Sequence, residues 1–370
     1  MKYNQNSLLI IVCLILSTLF FIDCNNSQPP DSKEPIKHKI KRNPSKFVIK
    51  TIAHIGVEEA QTDEEEPYQI SSIDSADCDK QGNIFLLDDK VNCVRVYNQS
   101  GKFLRKMFRR GKGPKEIVNS LMLRVNRFTN SIHILNEHGF SLKHFDLLGN
   151  YLANFYLPKQ LMGYFQFASK VTSYFVSDCK FGETKYNNII EIDIGQKKIT
   201  NGFLHYSIKQ RDDMFRHQQR FEILNNTLWT STIDEMDLKG IDLSSGKVVK
   251  TIMIPGKFKK NTIFEVSYQG NRAFGLLAYN VAQPLVLDNR LFVLLTVQEY
   301  DLKRKPKWKA YSPTKCKLSL YQVKENEKIE KIADLDQFDS MRLECTYKNR
   351  IVLSSLDPYP HLKIVEVKKY

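Results

Sequence analysis

The sequence predicts an all-β fold: a six-bladed β-propeller of four-stranded antiparallel blades, closed by its N-terminal strand. Three observations predict it. The first half of the chain repeats itself at a fixed distance of 48 residues, weaker copies of the same unit follow, and the last copy lacks an outer strand that the start of the chain can supply.

The echo is gapless. Residues 82–105 read GNIFLLDDKVNCVRVYNQSGKFLR and residues 130–153 read NSIHILNEHGFSLKHFDLLGNYLA. Ile84 to Asp88 align with Ile132 to Asn136, Val94 to Tyr97 with Leu142 to Phe145, and Gly101 with Gly149. Repeats of this size point to stacked supersecondary units. Within the unit a short apolar strand ends at Asp or Asn, whose side chain can bond nearby backbone and start a turn. A returning strand alternates (Val94-Arg95-Val96-Tyr97), and Asn98 to Gly101 or Asp146 to Gly149 make a tight turn in which glycine accepts positive φ. A last strand leaves the unit, and with a preceding inner strand that makes the four strands of a propeller blade.

Weaker units pair Tyr174–Asp178 with Ile189–Asp193, and Thr227–Ser231 with Leu238–Asp242. Further on, Arg290–Leu295 pairs with Leu318–Tyr321, and Asn349–Ser355 with Leu362–Val367. The final unit stops at Tyr370 before an outer strand, whereas Lys46 to Ile52 is a strand without a unit. Joining the two closes the ring and removes a free sheet edge. The competing arrangement, a pair of β-sandwiches, does not explain the 48-residue register.

Composition agrees with a folded all-β body. The chain is 42% hydrophobic and 11% aromatic, enough for a sizeable core rich in strand formers. The formal charge is +14. That excess favours anionic surfaces, but it is diffuse, and a solubility role explains it more simply. Residues 1–23 read as an export signal: Lys2, then the apolar run Leu8 to Ile22, too short for an ordinary membrane span. Residues 24–46 contain four prolines and no aromatic residue, the composition of a flexible tether, leaving 47–370 for the propeller. The basic stretch Lys37 to Lys46 suits an anionic headgroup surface. Cys13 lies in the signal and Cys24 at its end. The five remaining cysteines include no CxxC pair, which argues against structural zinc.

Around Cys24 the chain resembles a bacterial lipoprotein signal, in which the cysteine becomes the acylated first residue. Asp23, Ile22 and Phe21 depart from the small residues that pattern favours, and an uncleaved N-terminal anchor is the alternative. The blades in turn resemble the bacterial six-bladed propeller lipoproteins related to NHL-repeat proteins. The likeness rests on the strand–Asp–strand–Gly–Lys pattern of Gly82 to Arg105 and on Gly111-Lys112-Gly113-Pro114-Lys115-Glu116, similar to the family's inter-blade G-x-G-P-x-E turn. It implies a fold and a cell-envelope address, and no particular chemistry. The same Gly-Lys-Gly lacks the third glycine and Lys-Ser/Thr of a phosphate loop.

Candidate chemistry is sparse. Related lactonase-like propellers hold a metal in the channel through carboxylates and Asn. The oxygen ligands available for calcium here would be Asp88, Asp89, Asn136, Glu137, Asp178 and Asp234. Asp88, Asn136 and Asp178 recur at one blade position, so turn capping accounts for them without a cofactor. His133 and His144 sit inside strands without a carboxylate beside them. No GxSxG elbow exists. Two long connections mix basic and aromatic residues: 203–222, with Arg211, Arg216 and Arg220, and 296–317, with Lys303, Arg304, Lys305, Lys307 and Trp308. Such loops on a rigid scaffold are where binding resides. The sequence therefore points to a monomeric, non-enzymatic binding or scaffold propeller outside the cytoplasm, lipid-anchored to a membrane. It would contact a protein or acidic glycan through loops on one ring face; export argues against nucleic acid. The alternative is a metal-dependent lactonase-like or lyase-like enzyme sited at the channel.

Overall fold

A computed structural model describes residues 47–157, 161, 164–176, 185–207, 220–231, 236–256, 258, 262–268, 271–277, 280–299, 315–338 and 341–369. The chain opens with β1 (Phe47–Ile55) and then lays down blades in sequence. Blade one is β2 (Ser75–Cys78), β3 (Ile84–Asp88), β4 (Cys93–Tyr97) and β5 (Phe103–Met107), followed by two short strands, β6 (Arg109–Arg110) and β7 (Glu116–Ile117). Blade two is β8 (Met122–Asn126), β9 (Ser131–Asn136), β10 (Ser141–Asp146) and β11 (Tyr151–Tyr156). Blade three is β12 (Phe165–Phe167), β13 (Thr172–Val176), β14 (Lys185–Asp193) and β15 (Lys198–Ser207). Blade four is β16 (Phe221–Leu224), β17 (Thr227–Ser231), β18 (Asp237–Asp242) and β19 (Val248–Met253); a hairpin, β20 (Thr262–Tyr268) and β21 (Asn271–Leu277), comes next. Blade five is β22 (Asn280–Leu287), β23 (Arg290–Glu299), β24 (Lys315–Val323) and β25 (Ile329–Asp334). Blade six is β26 (Arg342–Tyr347), β27 (Arg350–Ser355) and β28 (His361–Lys369), completed by β1 in the order β1-β28-β27-β26. The molecule is a six-bladed β-propeller closed by its N-terminal strand. Phe47 pairs with Lys369 and Ile55 with Leu362, across one bulge between Thr51 and Ala53.

Each blade is sandwiched between two others, so its middle strands bury both faces. That is why they read as unbroken apolar runs rather than alternating ones. In β3, Ile84 and Leu86 pack toward blade six with Tyr97, Val352 and Ile364. Phe85 and Leu87, between them in sequence, pack toward blade two with Val125, Ile132 and Phe145. Comparable apolar clusters fill the other blade–blade seams, for example Phe165, Phe175 and Leu142 between blades two and three.

The 48-residue offset is the step from blade one to blade two, and it places equivalent residues side by side. Ser75 Oγ accepts from Leu123 N at 2.7 Å, and Asp77 Oδ2 from Val125 N at 2.9 Å, both pairs 48 apart. Arg95 donates to the carbonyls of Pro67 (3.1 Å) and Gln69 (2.9 Å) in the connection entering blade one. Lys143, its equivalent, donates to Gly113 O (2.9 Å) and Glu116 O (2.6 Å) in the connection entering blade two. The Gly111–Glu116 segment is thus a structural turn. Gly111 N donates to Ile117 O, and the Glu116 carboxylate accepts from Gly113 N at 2.8 Å. A Cβ on Gly111, where φ is +152°, would fall 2.1 Å from that carboxylate.

Blade topology sorts the connections onto two ring faces. First-to-second and third-to-fourth strand turns share one face and span two to five residues. There Asn98 Oδ1 accepts from Ser100 N and Lys102 N, and Asp146 Oδ1 from Leu148 N and Asn150 N. Gly101 and Gly149 take φ of +84° and +88°. Second-to-third connections, and those between blades, share the other face and run from four residues up to the 26 between β19 and β22. We call these the turn face and the loop face.

Candidate functional site

Inner strands ring the channel of a propeller, and their mid-strand side chains decide what it can hold. Here β2 supplies Asp77, β8 Arg124, β12 Gln166, β16 Glu222 and β26 Glu344; Arg127, Tyr164 and Arg220 join them from the strand ends. Together they line a cavity of about 50 Å³.

The charges are held by one another and by backbone. Glu344, 4% exposed, accepts from Ala76 N (3.0 Å), Arg342 Nε (2.5 Å) and Ser354 Oγ (2.6 Å). Asp77 accepts from Val125 N, from Cys78 N (2.8 Å) and from Arg127 Nη2 (3.4 Å). Glu222 accepts from Gln166 Nε2 at 3.0 Å and Tyr164 OH at 3.5 Å. Burial raises its pKa above the usual carboxylate range, against the pull of Arg220. Arg124 donates to the carbonyls of Phe165 (3.0 Å) and Leu123 (3.0 Å). Arg220 donates to the carbonyls of Leu343 and Glu344. Both guanidiniums lie over the Tyr164 ring, 4.2 and 4.9 Å from its centroid, a cation–π arrangement. Burial pushes the Tyr164 hydroxyl up to about 12, so it is protonated at neutral pH. An organic ligand needs roughly 300 Å³ or more. The channel cavity is far smaller and suits a few waters.

The predicted oxygen ligands fall elsewhere. Asp88 and Asn136 end β3 and β9 on the loop face and do not line the cavity. Asp88 accepts from Ser71 N (2.9 Å) and Ser72 N (3.0 Å); Asn136 Oδ1 accepts from Val118 N (2.9 Å) and Ser120 Oγ (3.0 Å). They cap backward, onto the connection entering their own blade, rather than starting the turn that follows. The reason is spatial: the incoming connection passes the strand end with its amides turned toward it. Asp89 instead reaches the connection entering the next blade, accepting from Ser120 N at 2.8 Å, and Glu137 accepts from Ser141 Oγ, at the start of the strand that follows it, at 2.9 Å. Among the described residues no three His, Cys, Asp or Glu side chains are arranged to hold a metal ion. Asp178, Asp234, Cys24, Arg211, Arg216, Lys303, Arg304, Lys305, Lys307 and Trp308 lie outside the described residues.

Arg220, expected with the loop residues, instead stands just ahead of β16 and reaches into the channel. The channel set as a whole was missed in the sequence. Its signal is a charged residue set between apolar neighbours in a first strand, as in Met122-Leu123-Arg124-Val125 and Leu343-Glu344-Cys345. His133 and His144 are packed strand residues: they face each other across β9 and β10 with ring centroids 4.1 Å apart. Burial lowers the pKa of both.

Fold and channel define the class, a six-bladed β-propeller whose narrow channel is lined by arginines, carboxyls and Tyr164. Residues 51–234 match the model of the DUF5128 family, described as a 6-bladed beta-propeller. Among solved structures, a member of the DUF4221 family from Bacteroides vulgatus is similar, with a TM-score of 0.57 at 8% identity, covering 89% of this chain and 100% of that one. A protein of Bacteroides fragilis described as exported has a TM-score of 0.53 at 12% identity, covering 89% and 98%. At such identities the likeness is one of fold. No curated protein matches the chain.

Proposed function

We propose that this chain is a binding or scaffold propeller of the cell envelope, which engages a protein or an acidic glycan through the connections on its loop face. The observation that carries the reading is the inequality of the two ring faces, set beside a narrow channel whose polar groups bond chiefly to backbone and to one another. Every connection longer than five residues opens onto one face. The connection holding Lys303, Arg304, Lys305, Lys307 and Trp308 joins β23 to β24, and the one holding Arg211 and Arg216 joins β15 to β16. Both join strand ends on that face. Basic and aromatic side chains together suit carboxylate- or sulfate-bearing ligands. Signal-like residues 1–23 and Cys24 support an exported, lipid-anchored chain, and the similar Bacteroides fragilis protein is itself described as exported.

The test is retention on an immobilised acidic polysaccharide such as alginate or heparin at physiological salt. Joint replacement of Lys303, Arg304, Lys305, Lys307 and Trp308 by Ala or Ser should release the protein without altering its melting temperature. Unchanged retention by that variant removes the loop from the reading. Stoichiometric calcium in the purified protein, lost on Asp88→Ala, would replace binding by metal chemistry. Fatty-acid labelling in cells, lost on Cys24→Ala, checks the anchor.

A further inference from the structure

Cys78 ends β2, the inner strand of blade one, and Cys345 lies in β26, the inner strand of blade six. They are separated by 267 positions in the chain (78 to 345) and yet share one apolar cluster with Ile84, Val352 and Ile364. Cys78 is 1% exposed and Cys345 4%. Burial, and then the neighbouring Cys78 side chain, raise the pKa of Cys345. Clamps hold the strands together around the pair. Ala76 N donates to Glu344 Oε2 at 3.0 Å, and Arg127 donates to the carbonyls of Cys78 and Thr346, both at 2.9 Å. Both residues are thiols in the structure, as are Cys93 and Cys316, which sit in β4 and β24.

We propose that Cys78 and Cys345 form a disulfide that seals the ring between its first and last blades. Adjacent inner strands already pinned on either side of two thiols in one buried cluster need little movement to meet the narrow geometry of the bond. Its position gives it leverage. Without it the ring is closed by non-covalent contacts alone, the pairing of β1 with β28 and the packing and hydrogen bonds between blades one and six. A bond from β2 to β26 encloses most of the propeller, and a cross-link restricts the unfolded state more the longer the loop it closes. The oxidant is a disulfide, supplied by an exchange catalyst outside the cytoplasm or by a small-molecule disulfide. One cysteine thiolate attacks it to give a mixed disulfide and release one thiol. The second cysteine then displaces the other thiol. Two protein S–H bonds and one external S–S bond are lost; one protein S–S bond and two external S–H bonds are gained. Because the folded seam buries both sulfurs, exchange takes place while the chain folds. The chemistry needs an oxidising compartment of the kind export provides, but its test does not depend on the binding reading.

The reduced full chain is unfolded in urea and refolded in a glutathione redox buffer, then digested without reductant for peptide mass mapping. The expected result is a peptide linking Cys78 to Cys345, absent from Cys78→Ala and from Cys345→Ala. The linked protein should melt roughly 5 °C or more above the same protein after reduction. Reductant should leave the melting temperature of either variant unchanged. Recovery of both cysteines as alkylatable thiols after oxidative refolding would overturn the proposal, as would linkage of either to Cys93, Cys179 or Cys316. Should a variant fail to fold, the wild-type peptide map alone decides between these outcomes.

Discussion

The turn face and the loop face are built from opposite ends of the same strands, yet they obey different rules. On the turn face the chain spends as little as possible. In blades four and five a two-residue turn joins the first two strands, with left-handed backbone at Asn225, Asn226, Asp288 and Asn289, the conformation such hairpins require. On the loop face even the four-residue connections are used as anchors. His138 N donates to Asn119 O, and a Cβ on Gly139, where φ is +85°, would lie 1.8 Å from the Leu161 carbonyl. The contrast teaches that the turn face closes each blade locally, whereas the loop face ties each blade to the connection that enters it. The loop face carries capping residues together with the connection segments they grip, 56–74 and 108–121, which the fold needs, and it also carries the connection of Lys303 to Trp308 proposed above for binding.

The largest effect should come from the channel. Glu344→Ala leaves Arg342, Ser354 Oγ and Ala76 N without a shared acceptor, and loss of one partner of a buried charge network costs about 3–5 kcal/mol. Urea unfolding reads it directly. Next come Asp88→Ala and Asn136→Ala, at about 1–3 kcal/mol each, because buried amides and a hydroxyl lose their acceptor. An Asp88→Ala protein of wild-type stability would show that this residue does not serve the scaffold.

A smaller effect is set by pH. Burial lowers the folded pKa of His133 and of His144, with each ring packed against the other. Below the unfolded imidazole value of about 6.5 the unfolded chain binds more protons, so stability should fall as pH drops from 7 toward 5. Asp89, pushed up to about 6 chiefly by burial, acts in the opposite sense: its contribution is present when protonated and is lost as pH rises through about 6. In His144→Phe the acid-side loss should shrink, whereas Asp89→Asn should steepen it. Urea midpoints at pH 5, 6 and 7 check both signs. The smallest stability effect belongs to the loop residues Lys303, Arg304, Lys305, Lys307 and Trp308, whose replacement should change unfolding by less than about 0.5 kcal/mol. A large loss there would erase the distinction between scaffold and loop.

Much of the ring was legible because blade geometry is local. Strand, Asx turn and glycine lie within one 48-residue unit, and the pairing of Phe47–Ile55 with the last blade follows from counting strands. The capping role of Asp88 and Asn136 was legible too, since both recur at one register position, although the direction of the cap was not. The channel was not legible. Arg124, Tyr164, Glu222 and Glu344 come from four blades, and no spacing within any one of them reveals that they meet. Arg220 illustrates the limit: composition grouped it with its loop neighbours, but its place one residue before β16 sends it inward.

One consequence of the closing strand concerns direction. β1 runs antiparallel to β28, with Phe47 opposite Lys369 and Ile55 opposite Leu362, so it starts at the turn face and finishes at the loop face. Whatever precedes Phe47 therefore departs from the side that carries the short turns. A ring moored through that end would hang with its plain side toward the bilayer and hold its long connections outward. The strand that locks the circle would then also be the swivel that aims it.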